Sequence, residues 1–306
     1  MVSFTKLRFV VIGAGLIGPR HARTATGSPD TELVAIELSS AGIHILVEKP
    51  FSTDIPSGKD LLQHLSTTGV KALVGHHRRF NPYMVAAKEI VSSSGKLGKV
   101  LAINGMWTLY KSLDYYQPPT AWRQDKTGGV VLINMIHEVD LLHYLMGPIT
   151  TVYREKIESQ SGLDAEEGAA LTLRFNSSAV GSFLVADNLP SLYNFESGTG
   201  ENPLIPKAGQ NVDRVFGTDR SVSVPEMSVW SYKGEKSWSS ELSREVVPVP
   251  EGVPSELQLN HFFKVIRGEE ALSCTAQAGL AALLVCEAIR KALEGNSTVN
   301  IEPYSL

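Results

Sequence analysis

Leu7-Arg8-Phe9-Val10-Val11-Ile12-Gly13-Ala14-Gly15-Leu16-Ile17-Gly18 runs a short apolar stretch straight into three glycines spaced Gly-x-Gly-x-x-Gly. The stretch reads as a buried parallel strand over 7–12, and 16–26 reads as a helix that the glycines open. In that setting each glycine has a task. Gly13 makes the tight turn, Gly15 lets backbone approach a pyrophosphate, and Gly18 lets helix pack on strand, with Leu16 and Ile17 completing the loop and the phosphates facing the helix N-terminus. A second strand over 32–38 closes one βαβ unit. Glu37 lies near its end, about 20 residues past the third glycine, where dinucleotide sites place an acid on the ribose. It reads equally well as a strand-end surface carboxylate.

Outward from this unit, 43–47 reads as a third strand leading into Glu48-Lys49-Pro50, followed by a helix over 57–67 and a strand over 71–75. Strand and helix alternate to about residue 91. Beyond residue 98 strands follow one another at 99–111, 150–159, 168–175 and 179–186 with few crossovers, the mark of an antiparallel sheet. Helices are expected over 130–145, 257–267 and 276–293, the last stopped by Gly295-Asn296. The fold class is therefore α/β: a truncated Rossmann-like N-terminal domain over 1–97, and an α+β domain over 98–306 with a large, mainly antiparallel sheet. The truncation rests on chain length. Only residues 39–42 separate strands two and three, reaching about 14 Å at full extension, whereas a parallel crossover needs a dozen or more residues. Strand three must turn back antiparallel, or the sheet must be rearranged, or a segment has been lost.

Bulk composition sets the outer limits. A chain of 306 residues, 43% hydrophobic and 20% charged, builds a well-buried core. A net charge of −4 provides no footprint for nucleic acid or an anionic membrane. Cys274 and Cys286 lack metal-ligand or CxxC spacing and read as buried, reduced thiols. Nothing has the length of a signal-peptide core or a membrane span, so a cytoplasmic protein is expected. His76 and His77, taken as adjacent strand residues, point to opposite sides and find no nearby ligand, so no metal is expected.

Val10 to Gly18, then Ala41-Gly42-Ile43-His44-Ile45-Leu46-Val47-Glu48-Lys49-Pro50, then His76-His77-Arg78-Arg79-Phe80-Asn81-Pro82 resemble the Gfo/Idh/MocA oxidoreductases, the group of glucose-fructose oxidoreductase and inositol dehydrogenase. The resemblance continues through Trp122-Arg123, through Gly128 to Asp140, and through Thr199-Gly200-Glu201-Asn202-Pro203. It implies an NAD(P)-binding domain, a sheet domain that holds substrate and often a dimer face, and redox chemistry on a sugar, polyol or related hydroxy or carbonyl compound. It implies that Lys49 lies beside the nicotinamide and the substrate hydroxyl, with Glu48 before it, and that His137 acts as acid or base. Two departures stand out. The family's strand-helix units between strand two and the Ala-Gly-Ile-His segment are absent, and the aspartate four residues before the histidine is Ile133, with Asn134 as a polar substitute.

Read by themselves, these residues keep alternatives. Lys49 precedes a proline, which holds it extended at a strand end, where open α/β sheets place ligands; the other reading is a surface lysine paired with Glu48. Asn134, His137 and Asp140, spaced by three, fall on one face of a regular helix, with Asp140 as an orienting partner. Arg79, Trp122 and Arg123 are candidates for the substrate pocket, or else an interdomain salt bridge and a core aromatic. Lys111, Asp114 and Tyr115 form a further polar cluster. The cofactor is NAD, preferred to NADP because Glu37 repels a 2′-phosphate, or none. If none, Lys49 and His137 serve cofactor-independent proton transfer in an isomerase, lyase or cyclase. A non-catalytic dimeric binding protein is the third alternative. The expected partners are a small-molecule substrate and a second copy of the chain.

Overall fold

The computed structural model describes residues 7–9, 31–33, 43–92, 96–126 and 128–302. Gly13, Gly15, Leu16, Ile17, Gly18 and Glu37 lie outside these residues. In the first part of the chain, β1 (Leu7–Phe9) pairs in parallel with β2 (Thr31–Leu33). β3 (Ile45–Val47) pairs in parallel with β4 (Ala72–Val74). Among the described residues no pairing joins the two ribbons.

Helix α1 (Ile55–Thr68) links β3 to β4. Asp54 caps it by accepting from Ser57 N at 2.8 Å, a proline sits in its first turn, and Gly69 ends it at φ 66°. After β4 the chain makes a 3₁₀ turn at His77–Phe80 and enters α2 (Pro82–Ser92). His76 and His77 are thus not strand residues. The chain leaves the ladder after Val74, and the opposite-sides argument does not apply to them.

The second part is built on a nine-stranded sheet of order β12-β11-β10-β9-β5-β8-β7-β6-β13. Its strands are β5 (Val100–Thr108), β6 (Ile149–Lys156), β7 (Gly168–Phe175), β8 (Val180–Ala186), β9 (Asp213–Gly217), β10 (Arg220–Val224), β11 (Ser228–Tyr232), β12 (Leu242–Val246) and β13 (Val299–Asn300). Every neighbouring pair is antiparallel except β5 and β8, which run parallel. The four expected strands are present, that over 168–175 with the expected ends and the others with ends displaced by up to three residues. The meander β9–β12 was not expected: its strands have five residues each, and β10 alternates valine with serine, a weak apolar signal between tight turns.

The helix expected over 130–145 is also irregular. It opens with a π turn at Val131–Met135 and becomes α3 (Ile136–Met146) only afterwards. Helices α4 (Phe195–Thr199), α5 (Pro254–Ile266) and α6 (Ala276–Gly295) follow, the last ending at Asn296 in the left-handed region. Among the described residues no helix is long and apolar enough to cross a membrane. Cys274 and Cys286 are buried and unpaired.

Two apolar clusters result. One lies under the large sheet, where Trp107, Leu173, Phe175 and Phe183 meet Met135, Ile136 and Val139. The other gathers Phe51, Leu62, Leu73, Val74 and Phe80 against Phe262, Leu280 and Leu283. Each fully buried side chain of this size contributes about 1.5–3 kcal/mol. Helix α6 serves both, since Val285, Cys286 and Ile289 belong to the first cluster. Gly279 lets it lie close to β4, because a Cβ there would sit 2.8 Å from Val74 and 3.0 Å from Phe51.

Gly217, at the end of β9, is the tightest backbone approach: a Cβ would stand 2.1 Å from the Leu97 carbonyl oxygen. Backbone cannot swing aside as a side chain does. Gly217→Ala is expected to cost about 1–3 kcal/mol, read as a lowered urea midpoint with an unchanged m-value; an unchanged midpoint would show that the 96–99 segment yields freely.

Candidate active site

Strand direction assembles the site. β3 and β4 are parallel, so the residues after their C-terminal ends share one edge: Lys49 follows β3, and His76 and His77 follow β4. β5 and β8 are parallel too, which brings Lys111 and Asp187 together beyond their ends. The π turn carries Ile133 and Asn134 between the two edges. Such a turn offsets the following side chains from regular helical spacing, and π bulges recur at functional sites.

Lys49 is half-buried as a residue, but its ammonium turns inward and donates to the Ile133 carbonyl at 2.8 Å. Glu48 receives the Lys49 backbone N–H at 3.1 Å rather than the ammonium. Burial drives the Lys49 pKa down to about 8; Glu48 opposes this, while Arg78 and Lys111 add to it. His137, in the first turn of α3, is buried, and its Nδ1 has no partner among the described residues. His76 and His77 meet its ring edge-on, at centroid distances of 5.9 and 5.5 Å. Burial, and then the charge of Lys49, hold His137 well below the ordinary imidazole range, so it is neutral at neutral pH.

Lys111 donates to Asn134 Oδ1 at 2.6 Å and to Asp187 Oδ2 at 3.0 Å. The Asp187 oxygen also accepts from Tyr116 at 3.2 Å. With its Oδ1 engaged by Lys111, Asn134 is left with its amide N–H groups to offer elsewhere. The Tyr115 ring lies 4.6 Å from the Lys111 ammonium and 4.0 Å from the Arg123 guanidinium. Arg123, Tyr115, Lys111 and Asn134 therefore form one continuous polar wall. A cavity of about 160 Å³ opens beside it, between Lys111, Tyr116, Asp187 and Asn188.

Other sequence candidates fall elsewhere. Arg79 grips Asp140 with two hydrogen bonds of 2.8 and 2.7 Å and donates from its third nitrogen to the Ser273 carbonyl, so all three nitrogens are engaged. This is the ion-pair reading of Arg79. The stripe expected from Asn134, His137 and Asp140 is split, because the π turn sends Asn134 to Lys111 while Asp140 faces Arg79. Trp122 is 52% exposed on a 3₁₀ turn and is not a core aromatic. Asp114 accepts from Ser112 at the surface.

Beneath the site lies a group that sequence reasoning missed. Arg78, fully enclosed, gives one guanidinium nitrogen each to Glu138, Glu196 and Glu201. Trp107 Nε1 also donates to Glu196, at 2.8 Å. Burial would raise Glu201, but Arg78 and His77 outweigh it and hold the carboxyl at about 2. Burial pushes Glu138 and the nearby Asp213 up. The signal available in the sequence was the doubled arginine, Arg78-Arg79.

A sequence model of an oxidoreductase family, described as its C-terminal alpha/beta domain, matches residues 90–301. Inositol 2-dehydrogenase of Rhizobium meliloti is 24% identical over 189 residues, covering 46% of this chain and 55% of the relative, so the match spans about half of that protein. Myo-inositol 2-dehydrogenase of Thermotoga maritima is 25% identical over 280 residues, covering 89% and 76%. The crystal structure of the WlbA dehydrogenase from Bordetella pertussis, in complex with NADH and UDP-GlcNAcA, superposes with a TM-score of 0.73 at 18% identity over 97% of this chain and 99% of that one. At that identity the superposition shows a shared fold. With the C-terminal domain matched along most of its length, the chain belongs to the Gfo/Idh/MocA oxidoreductase family.

Proposed function

We propose that this protein transfers hydride between a nicotinamide dinucleotide and a sugar, polyol or related hydroxy or carbonyl compound. The observation that carries the reading is the inward-turned Lys49 ammonium, its pKa brought to about 8, beside a neutral His137 at the ends of two parallel strands. The names of the inositol and WlbA dehydrogenases support the substrate class and the cofactor. Strand ends are where α/β sheets take ligands, and Lys49 with the unpartnered Nδ1 of His137 fits a hydroxyl about to lose its proton. A bound nicotinamide would supply the hydride acceptor or donor. In our reading residues 1–97 hold it, through Gly13, Gly15, Leu16, Ile17, Gly18, Glu37 and Glu48, and residues 98–306 hold the substrate. Asn134 and Arg123 bind substrate hydroxyls, and Trp122 flanks them.

Oxidising an alcohol releases a proton with the hydride. A base works best when its pKa lies near the working pH, which favours neutral Lys49 as the acceptor. Only the unprotonated amine can accept, so kcat/KM for oxidation is expected to rise with pH through about 8 and level off above it. For carbonyl reduction, which needs the ammonium, it is expected to fall over the same range. A flat profile across that window would remove Lys49 from the role. Titration of the purified protein with NADH and NADPH tests the cofactor: we expect micromolar binding with NADH the tighter, whereas no binding at millimolar cofactor would overturn the redox reading. We also read the protein as a cytoplasmic homodimer joined through the open sheet face, where Tyr153, Val180, Phe216 and Trp230 are exposed; light scattering measures its mass in solution.

A further inference from the structure

Two buried oxygens beside the candidate active site have no hydrogen-bond partner among the described residues: Asp187 Oδ1 and Asn188 Oδ1. Their surroundings are fixed. Asp187 is 3% exposed, and its other oxygen already accepts from Lys111 at 3.0 Å and from Tyr116 at 3.2 Å. The Asn188 amide nitrogen donates to the Glu158 carbonyl at 3.1 Å and to Glu167 Oε2 at 2.8 Å, so the amide cannot be turned over and its oxygen stays the unpaired atom. Glu167 is saturated, because the hydroxyls of Ser159 and Ser161 and the backbone N–H groups of Gln160 and Ser161 also donate to it. The backbone is held as well: the Lys111 N–H donates to the Asp187 carbonyl at 2.8 Å, and the Asp187 N–H to the Glu167 carbonyl at 2.9 Å. Unpaired buried acceptors carry a desolvation penalty that a bound donor would relieve. Both belong to residues lining the cavity of about 160 Å³.

Both free atoms are acceptors, so the occupant that suits them presents donors. A cation is disfavoured, because the Lys111 ammonium lines the same cavity and repels it, and among the described residues no cluster of His, Cys, Asp and Glu could hold a metal ion. Hydroxyl groups remain. Tyr110 and Leu113 also line the cavity and are 60% and 61% exposed, which adds an aromatic face and an apolar edge at its rim to the fixed polar groups within. As exposed side chains they turn readily and can admit a ligand. The volume matches about five waters, enough for one small hydroxylated ring. Lys111 joins this cavity to the polar wall of the candidate active site, since its ammonium bridges Asp187 and Asn134. We propose that the cavity is a subsite for a second hydroxylated ring of the substrate, so that the protein acts on a disaccharide or glycoside. The reacting ring lies at Lys49 and His137, and the next ring donates hydroxyls to Asp187 and Asn188 and packs on Tyr110. The proposal rests on the reading of the substrate as a sugar or polyol. Glu167 is a positioning residue in this scheme, holding the Asn188 amide with its oxygen free.

The test is nitrogen-edited NMR on the full chain, following the Asn188 side-chain amide as maltose, cellobiose, trehalose or glucose is added, with calorimetry for the affinities. At least one disaccharide is expected to shift the Asn188 signal and to bind at least about tenfold tighter than glucose. Tyr110→Ala and Leu113→Trp, both at exposed positions, should abolish that gain and leave glucose binding as it was. Disaccharides that bind no tighter than glucose, or that leave Asn188 unmoved, overturn the subsite, and the cavity then holds water only. A gain that survives both variants overturns it by placing the second ring elsewhere. A signal moved by potassium or ammonium chloride but by no sugar overturns it in favour of a cation site. If a variant does not fold, the wild-type titration still decides. These readouts need no turnover. A disaccharide that moves Asn188 in a protein that oxidises no sugar would count against the hydride reading alone, and oxidation of a monosaccharide with Asn188 unmoved by every disaccharide would count against the subsite alone.

Discussion

Lys49→Met is expected to lower turnover about 10²–10⁴-fold, the usual contribution of a positioned acid–base group, while leaving the protein folded. Methionine retains most of the alkyl stem, and the loss to stability is the single hydrogen bond to the Ile133 carbonyl, worth about 1 kcal/mol net. Removing a partly desolvated charge offsets part of that. Lys49→Arg sharpens the test, since a guanidinium keeps the positive charge but does not deprotonate in the accessible pH range. If Lys49 served only by its charge, arginine would retain activity; if it carries a proton, arginine fails as completely as methionine. Turnover is followed by nicotinamide absorbance with a panel of sugars and polyols near pH 9, where neutral Lys49 predominates. Near-wild-type turnover by either variant would transfer the proton chemistry to another group.

Arg78→Met is expected to be the most damaging substitution to the fold. Three carboxylates converge on that one guanidinium, all of them buried or nearly so. Removing one member of a buried ion pair costs about 3–5 kcal/mol, because its partner is left charged without compensation; here three are left. Lysine is not an equivalent substitute, since its donors all sit on one nitrogen and cannot span three carboxylates as a rigid guanidinium with donors on three nitrogens does. The deficit should depend on pH. In the wild type, Glu201 is held at about 2 against an unfolded value of about 4.3. Its contribution is full above the unfolded value and is lost as pH falls toward 2. In the variant the unpaired carboxylates titrate higher when folded than when unfolded, so they take up protons and the variant gains relative stability on acidification. Urea unfolding at pH 7 and pH 5 should therefore show a smaller difference between variant and wild type at the lower pH. An equal difference at both would mean that the carboxylates find other partners.

The residues that carried information in the sequence were those whose roles are local. Lys49 before a proline at a strand end and His137 within its motif were legible because backbone context places them. The stop of α6 was legible because Asn296 acts within a few residues of itself. What stayed hidden was pairwise and distant. Glu196 and Glu201 reach Arg78 from more than a hundred positions away, and Asp187 reaches Lys111 across 76. Hydrophobic periodicity says nothing about which charges will meet. The π turn was hidden for another reason: Val131-Leu132-Ile133-Asn134-Met135 is apolar enough for either winding, and the hydrogen bonds that the Val130 and Val131 N–H groups donate to Glu166 help select the wider one.

Helix α6 forms a wall of both apolar clusters, and that sets an order of events on the ribosome. Strands β3 and β4 emerge early, yet the cover for Phe51, Leu73 and Val74 comes from α5 and α6, some two hundred residues later. Until that last helix has been made, the early segment carries an apolar face without its native partner, the kind of surface that invites chaperones. A segment that is synthesised early is among the last to be finished.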